Sequence, residues 1–292
     1  MVVRKLRGYI SQTVASACSA QNGYSSAVTQ VALMNTYRLM RSTMRLSELP
    51  PLQDVGFKVY SQFEEDGMLL YIFSLIGTVN KRVVEVCAGN GRECMAANLI
   101  CNHGWEGLLF DGDPGNVDEG RSFYAEHPNT FMYPPRFVNA WITRESINNL
   151  IEDNDFSGEV DLLSLDMDGN DYWVLEALSI ISPRVIICEI QDAVPPHLAL
   201  SQPYKEDFVR GEKHSPHFCS ASLLAMQKLC AKKHYRLIGM HRYGFNAFFM
   251  RNDVGSEVFP KVSVESALDN SYARRSRELH WPEIQNLPWV AV

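Results

Sequence analysis

Hydrophobic positions in this chain switch repeatedly between two spacings. Short apolar runs at 82–87, 107–111, 137–139, 160–166 and 185–190 are bounded by glycine, proline or charged residues, as strands buried on both faces are. Helical rows lie between them. Met68, Leu69, Ile72, Leu75 and Ile76 mark a helix over 64–76; further helices are predicted over 92–103, from Thr143 onward, and over 171–181. Thr143, Glu145 and Ser146 supply capping chemistry for the third of these. This alternation predicts a parallel sheet with helices on both faces. Near the end, SLLAMQKLCAKKHY reads as an amphipathic helix, followed by the strands RLIGM and AFFMR. Only 241–246 separates those two strands, too short for a parallel crossover, so the last strand is antiparallel. The fold class is therefore α/β: a doubly wound, mostly parallel seven-stranded sheet with an antiparallel last strand.

Two flanks and one long loop depart from that alternation. Residues 1–55 carry helical spacing (Val28, Val31, Leu33, Tyr37, Met40) and end at Glu48-Leu49-Pro50-Pro51, a helix-stopping linker. This is read as a helical arm or lid, and a homodimer built through it is one expectation. The domain proper spans 56–251. Residues 252–292, with Pro282 and Pro288, read as a tail packed on that domain. Residues 192–219 have no clean period and hold Pro195, Pro196, Pro203 and Pro216; a loop this long in a compact domain is usually functional or mobile.

Composition narrows the class of function. The chain has 292 residues, 46% of them hydrophobic and 21% charged, with a net charge of -7, so one large domain with additions is expected. That acidity offers nothing to a nucleic-acid backbone; the basic runs RKLR near the start and RRSR at 274–277 are short. Seven cysteines, an odd number without CxxC spacing, read as reduced thiols in a reducing compartment such as the cytoplasm. No run approaches the ~18 apolar residues of a membrane span. The first twenty residues resemble a targeting peptide in their basic start, but Ser11-Gln12-Thr13 interrupts any apolar stretch.

The chemistry concentrates where strands end. The run 82–87 opens into Ala88-Gly89-Asn90-Gly91, a turn in which glycine lets backbone approach a ligand. About twenty residues on, 107–111 ends on Asp111-Gly112-Asp113, placed to accept hydrogen bonds from ribose hydroxyls. The run 160–166 ends on Asp166, at the sheet edge where open α/β sheets build their sites. Together these describe an adenosine-type cofactor across the carboxyl ends of parallel strands. A nicotinamide-binding domain would continue with parallel strands, whereas the antiparallel closing strand is the arrangement of class I S-adenosylmethionine-dependent methyltransferases. A nicotinamide-dependent oxidoreductase and a non-catalytic relative of that fold remain the alternatives. DMDGND (166–171) is not a calcium loop: a strand precedes it and Ala177 stands where glutamate is required.

The segments YSQFEEDGMLLYIF (60–73), VVEVCAGNGRE (83–93), GLLFDGDP (107–114), DLLSLDMDGNDYWVLEAL (161–178), SPRVIICEI (182–190) and GFNAFFMR (244–251) resemble the FkbM-like branch of those methyltransferases over roughly 56–251. The resemblance implies S-adenosylmethionine as methyl donor and most often an oxygen as acceptor, on a small-molecule or sugar-like substrate. It implies that Glu85 helps fix the methionine part of the cofactor and that Gln62 and Asp66 fold over its amino-acid end. The sequence departs from the family where Cys87 or Ala88 replaces a common glycine.

On the residues themselves, Glu85 fits either that role or the capping of the next helix. Ala88, Gly89, Asn90 and Gly91 line the cofactor; Asp111 and Gly112 meet its ribose, and Asp113 either joins them or begins a turn before Pro114. Trp141, beside Ala140 at a strand end, stacks on adenine or substrate, or packs; Tyr172 is read as core. Ala140 and Asp166 are also counted among the cofactor-lining residues, and Asp166 acts either as general base toward a hydroxyl or, with Glu189, as ligand to a divalent cation such as Mg2+. Asp168 joins either site, while Asp171 caps the following helix. His217 is a candidate acid–base partner, with His214 and His241 in nearby loops, and Asn246 holds substrate or closes a turn.

Overall fold

The computed structural model describes residues 27–292; RKLR, Cys18 and the targeting-peptide reading lie outside them. A helix, α1, runs over 27–43. It is followed by α2 (Glu65–Ile76), β1 (Arg82–Val86), α3 (Ala97–His103), β2 (Glu106–Asp111), α4 (Pro114–Glu126), β3 (Arg136–Asn139), α5 (Ile147–Glu152), β4 (Gly158–Leu165), α6 (Asp171–Ala177) and β5 (Ile181–Glu189). A two-residue strand β6 (Leu200–Ser201) interrupts the long loop. Then come α7 (Leu223–Lys232), β7 (Tyr235–Met240), β8 (Asn246–Arg251), α8 (Val264–Ala267), α9 (Ser271–Ile284) and β9 (Val290–Ala291).

Seven strands form one sheet in the order β3-β2-β1-β4-β5-β8-β7. The first five run parallel, and β8 is antiparallel to both β5 and β7. The predicted sheet is the observed one. Its strands are apolar on both faces because each face is covered. On one side Val84, Leu108, Leu163 and Ile186 pack with α5, α6 and α7; on the other Val83, Leu109, Leu162 and Val185 pack with α2 and α3. Of the arm residues, Tyr37 is buried on the second layer with Leu33 and Met40 against it, while Val28 and Val31 face solvent.

The larger departures from the predicted boundaries are these. Helix α3 starts at Ala97, not 92, because buried Glu85 supplies acceptors for its leading amides from within β1. Helix α5 starts at Ile147; Thr143 and Ser146 bond each other in a turn ahead of it. Helix α6 stops at Ala177, and β5 begins at Ile181 and contains Pro183. Proline is tolerated there because β8 pairs only with Val185 to Glu189, leaving that flank of Pro183 without a partner strand. Helix α4 had no prediction; Asp113 caps it, accepting from the Gly115 and Asn116 amides with Pro114 at its first position.

The tail folds back onto the domain. Strand β9 pairs with β6 in the long loop, and the Val292 amide donates to the Ala199 carbonyl at 3.2 Å. At the opposite, amino edge of the sheet, buried Asp161 accepts from the amides of Val79, Asn80 and Lys81 and from Arg184 Nη1 at 2.7 Å. Arg184 also donates to the carbonyls of Ile76 and Gly77, so one ion pair joins α2, β4 and β5. Six cysteines of the described region, Cys87, Cys94, Cys101, Cys188, Cys219 and Cys230, are free thiols. Among the described residues no helix is long and apolar enough to cross a membrane.

Candidate active site

The carboxyl ends of β1, β2 and β4 meet where the order of the sheet reverses, which is the place an open α/β sheet offers a ligand. The turn after β1 is held from both sides. Ala88 donates to the Phe110 carbonyl at 2.8 Å, Gly91 to the Ala88 carbonyl at 2.9 Å, and Gly89 to Asp111 Oδ2 at 2.9 Å. Gly91 has φ of 69°, and a Cβ there would meet the Phe137 ring at 2.8 Å, so both backbone and space require glycine. Cys87 has φ of 61° as well. It is therefore Cys87, not Ala88, that stands in the left-handed position usually given to glycine, at a cost of about 1–2 kcal/mol.

Asp111 organises this corner. Its Oδ2 accepts from Gly89, its Oδ1 from the Asp113 amide and Asn116 Nδ2, and its carbonyl from Asn139 Nδ2 and Ala140 N. A carboxylate offers about four acceptor directions, and protein donors take three. Gly112 lies under the Trp141 ring, which a Cβ would meet at 2.9 Å. Trp141 is half exposed, and its Nε1 donates to the Glu206 carbonyl of the long loop at 2.8 Å. Asn90 is half-buried and bonded to the Arg92 amide. Glu85 is buried, with its two oxygens on the Met95 and Ala96 amides at 2.8 and 2.7 Å and with Ser164 Oγ at 3.3 Å. Burial raises its proton affinity and these donors oppose the rise. The capping role left open by the sequence is thus filled in the structure.

A second group of acids lies one strand over. One ligand atom each from Asp166, Asp168 and Glu189 falls within a 4.8 Å span. Among the described residues no donor reaches the Asp166 carboxylate. Burial, followed by the charges of Asp171, Asp168 and Glu85, pushes it up to about 8, opposed by Arg210. Burial, followed by the charges of Asp166, Asp171 and Asp168, holds Glu189 well above the usual carboxylate range, opposed by Arg210. Asp171 is tied down instead: it accepts from the Met167 and Gly169 amides and from Ser220 Oγ, which bonds Glu189 as well. Asp171 therefore braces the loop from β4 into α6 and does not cap that helix as the sequence suggested, because its acceptors are taken by amides upstream of the N-cap Asn170.

Arg210 is the residue that sequence reasoning missed. It descends from the long loop to bond Asp168, reaches to 3.7 Å from Glu189, and fixes itself through Nε on the Pro216 carbonyl at 2.7 Å. It lies 44 positions after Asp166 in a segment without period, so no spacing could have flagged it. The same loop seats the Phe208 ring directly on Gly169, where a Cβ would come within 2.3 Å. Gly169→Ala is expected to unseat Phe208 and, with it, the loop, destabilising the fold by about 1–3 kcal/mol. Limited proteolysis within 202–216 should then accelerate, and an unchanged cleavage rate would show that the contact does not hold the loop.

Other candidates fall elsewhere. His217 stacks on His280 of α9 with ring centroids 3.5 Å apart, and His214 packs edge-on to Phe218. His241 is buried 3.4 Å from Glu65, which also accepts from Asn246 Nδ2, so Asn246 closes an internal network. Asp66 Oδ2 accepts from the Val59, Tyr60 and Ser61 amides and so shapes the segment preceding α2, while Gln62 is exposed. Tyr172 is core, as read from the sequence.

No protein-family model matches the chain, and no curated protein matches it. Solved structures similar to it include an S-adenosylmethionine-dependent methyltransferase from Clostridium acetobutylicum ATCC 824, at 10% identity over 63% of this chain and 89% of that one, TM-score 0.39. Magnesium protoporphyrin IX methyltransferase from Synechocystis PCC 6803 with bound SAM is similar at 14% identity, over 58% and 69%, TM-score 0.35. An O-methyltransferase family protein from Burkholderia thailandensis is similar at 11% identity, over 78% and 59%, TM-score 0.38. The fold itself rests on the strand order and on the single antiparallel strand β8, the arrangement of class I methyltransferases.

Proposed function

We propose that this protein is an S-adenosylmethionine-dependent methyltransferase of the FkbM-like branch, moving a methyl group to a hydroxyl of a small-molecule or sugar-like acceptor. One observation carries the reading: Asp166, a carboxylate with no donor among the described residues, stands at the end of β4 beside a glycine turn braced by the acid that ends β2. The corner fits an adenosine. Asp111 keeps one acceptor direction for a ribose hydroxyl, the position a side chain would take at Gly89 faces open space, and the half-exposed Trp141 ring offers a flat apolar wall. When bound, S-adenosylmethionine supplies a methyl already activated on a sulfonium, whose positive charge favours ionised carboxylates nearby. Asp166 accepts the acceptor's hydroxyl proton, Asp111 holds the turn in place, Glu85 fixes the entry to α3 just beyond it, and the loop carrying Arg210 and Phe208 excludes water. Alignment of that kind contributes roughly 7–11 kcal/mol in favourable cases.

The second reading gives Asp166, Asp168 and Glu189 to a divalent cation, since their oxygens converge. The guanidinium of Arg210 already occupies that side of Asp168, so the base reading is preferred. Calorimetric titration with S-adenosylhomocysteine tests the proposal: one saturable site, unaffected by chelator, is expected. Absence of binding in folded protein would return the chain to the nicotinamide or non-catalytic alternatives, and binding or turnover that needs magnesium would favour the metal reading.

A further inference from the structure

We propose that His217, His280 and Glu283 form a binding site for a divalent transition metal of the zinc class, tying the long loop after β5 to α9. Each side chain brings one ligand atom, and the three atoms lie within 4.8 Å of one another. Two imidazoles and a carboxylate are donors suited to zinc and its neighbours, whereas magnesium and calcium prefer oxygen alone. His280 and Glu283 stand three apart on α9 and so share a face. Hydrogen bonds to His217 involve only its backbone, with Ser215 Oγ at 3.3 Å and Gln191 Nε2 at 2.7 Å. Among the described residues, no protein group bonds the ring nitrogens of either histidine.

What places the three ligands is a small apolar cluster separate from the main core. Ala193, Phe218 and Ile284 are buried in it, with Trp281, Leu287 and Trp289 packed against them. Each ligand immediately precedes a member of that cluster: His217 before Phe218, His280 before Trp281, Glu283 before Ile284. The Phe218 and Trp289 rings meet at 4.5 Å, and Ser276 Oγ donates to Asp192 at 2.8 Å, a second tie between α9 and the end of β5. The ligands are thus held by packing before any ion arrives, which is what a tight site needs. Three protein ligands leave a fourth position for water. Because Arg210 bonds the carbonyl of Pro216, next to His217, an ion here steadies the segment that presents Arg210 to Asp168.

The test uses the full chain stripped of metal and titrated with zinc chloride against a chromophoric chelator. One zinc per chain is expected, weakened at least tenfold in His280→Ala and in His217→Ala, less in Glu283→Gln, and unchanged in Asp168→Asn. Cobalt should give a visible absorption band in wild type that His280→Ala loses. Metal-free variants must melt within a few degrees of metal-free wild type; His280→Gln substitutes if the alanine does not. Absence of saturable zinc binding in folded wild type overturns the proposal, as does binding that survives loss of both histidines or moves with Asp168→Asn.

Discussion

Asp166→Asn is expected to lower methyl transfer by about 10²–10⁴-fold, the range a positioned general base contributes, while leaving S-adenosylhomocysteine affinity within a few-fold. The same change should stabilise the protein at alkaline pH. Asp166 is pushed up to about 8 by burial and by its acidic neighbours, far above an unfolded aspartate. Between roughly pH 4 and 8 the folded chain therefore holds a proton that the unfolded chain has lost, and stability contributed by this group falls as pH rises through that window. Asp171, raised to about 6, and Glu189 act in the same direction. The melting temperature of Asp166→Asn should match wild type near pH 4 and exceed it increasingly toward pH 8. In wild type, kcat/KM should climb over the same range as the base ionises, with the limb abolished in the variant. A flat profile in wild type, or full activity in Asp166→Asn, would remove Asp166 from the chemistry.

Asp161→Ala should cost about 3–5 kcal/mol of stability, because it strands Arg184 in a buried position. The loss has a second component: three consecutive amides of 79–81 lose the acceptor that turns the chain into β1. Thermal or urea denaturation reads the effect. Replacing both partners with apolar residues, as in Asp161→Leu with Arg184→Met, should recover part of it, since no charge is then left unpaired. Turnover per folded molecule should hardly change, as the pair sits at the sheet edge opposite the candidate site. A loss below about 1 kcal/mol for Asp161→Ala would mean that water reaches the stranded guanidinium.

Much of the sheet was legible because strands buried on both faces leave continuous apolar runs, and because six residues between RLIGM and AFFMR admit only an antiparallel return. Helix α4 was not, since it buries only Val117, Gly120 and Tyr124 along thirteen residues. Its one clear signal was the Asp113-Pro114 pair at its start. Helix α9 hid behind Pro282, which lies inside it near the end. At the site, Asp111 and Asp166 were readable from where strands stop. The partners of Glu85 depended on where α3 begins, and Arg210 on the path of a loop with no period. Side chains brought in by such loops leave no local trace, because their contacts are set by tertiary packing.

The placement of β8 bears on how the chain is made. During synthesis the parallel strands through β5 emerge well before residue 246, and until β8 arrives one backbone edge of β5, over Val185 to Glu189, has no partner. That edge is an apolar run without a charge before Glu189, the kind of surface that recruits other nascent chains. β8 must then slot between β5 and β7 rather than add to an outer edge. Fragments ending before β8 should therefore aggregate where the longer chain does not, and slower production at low temperature should favour soluble protein.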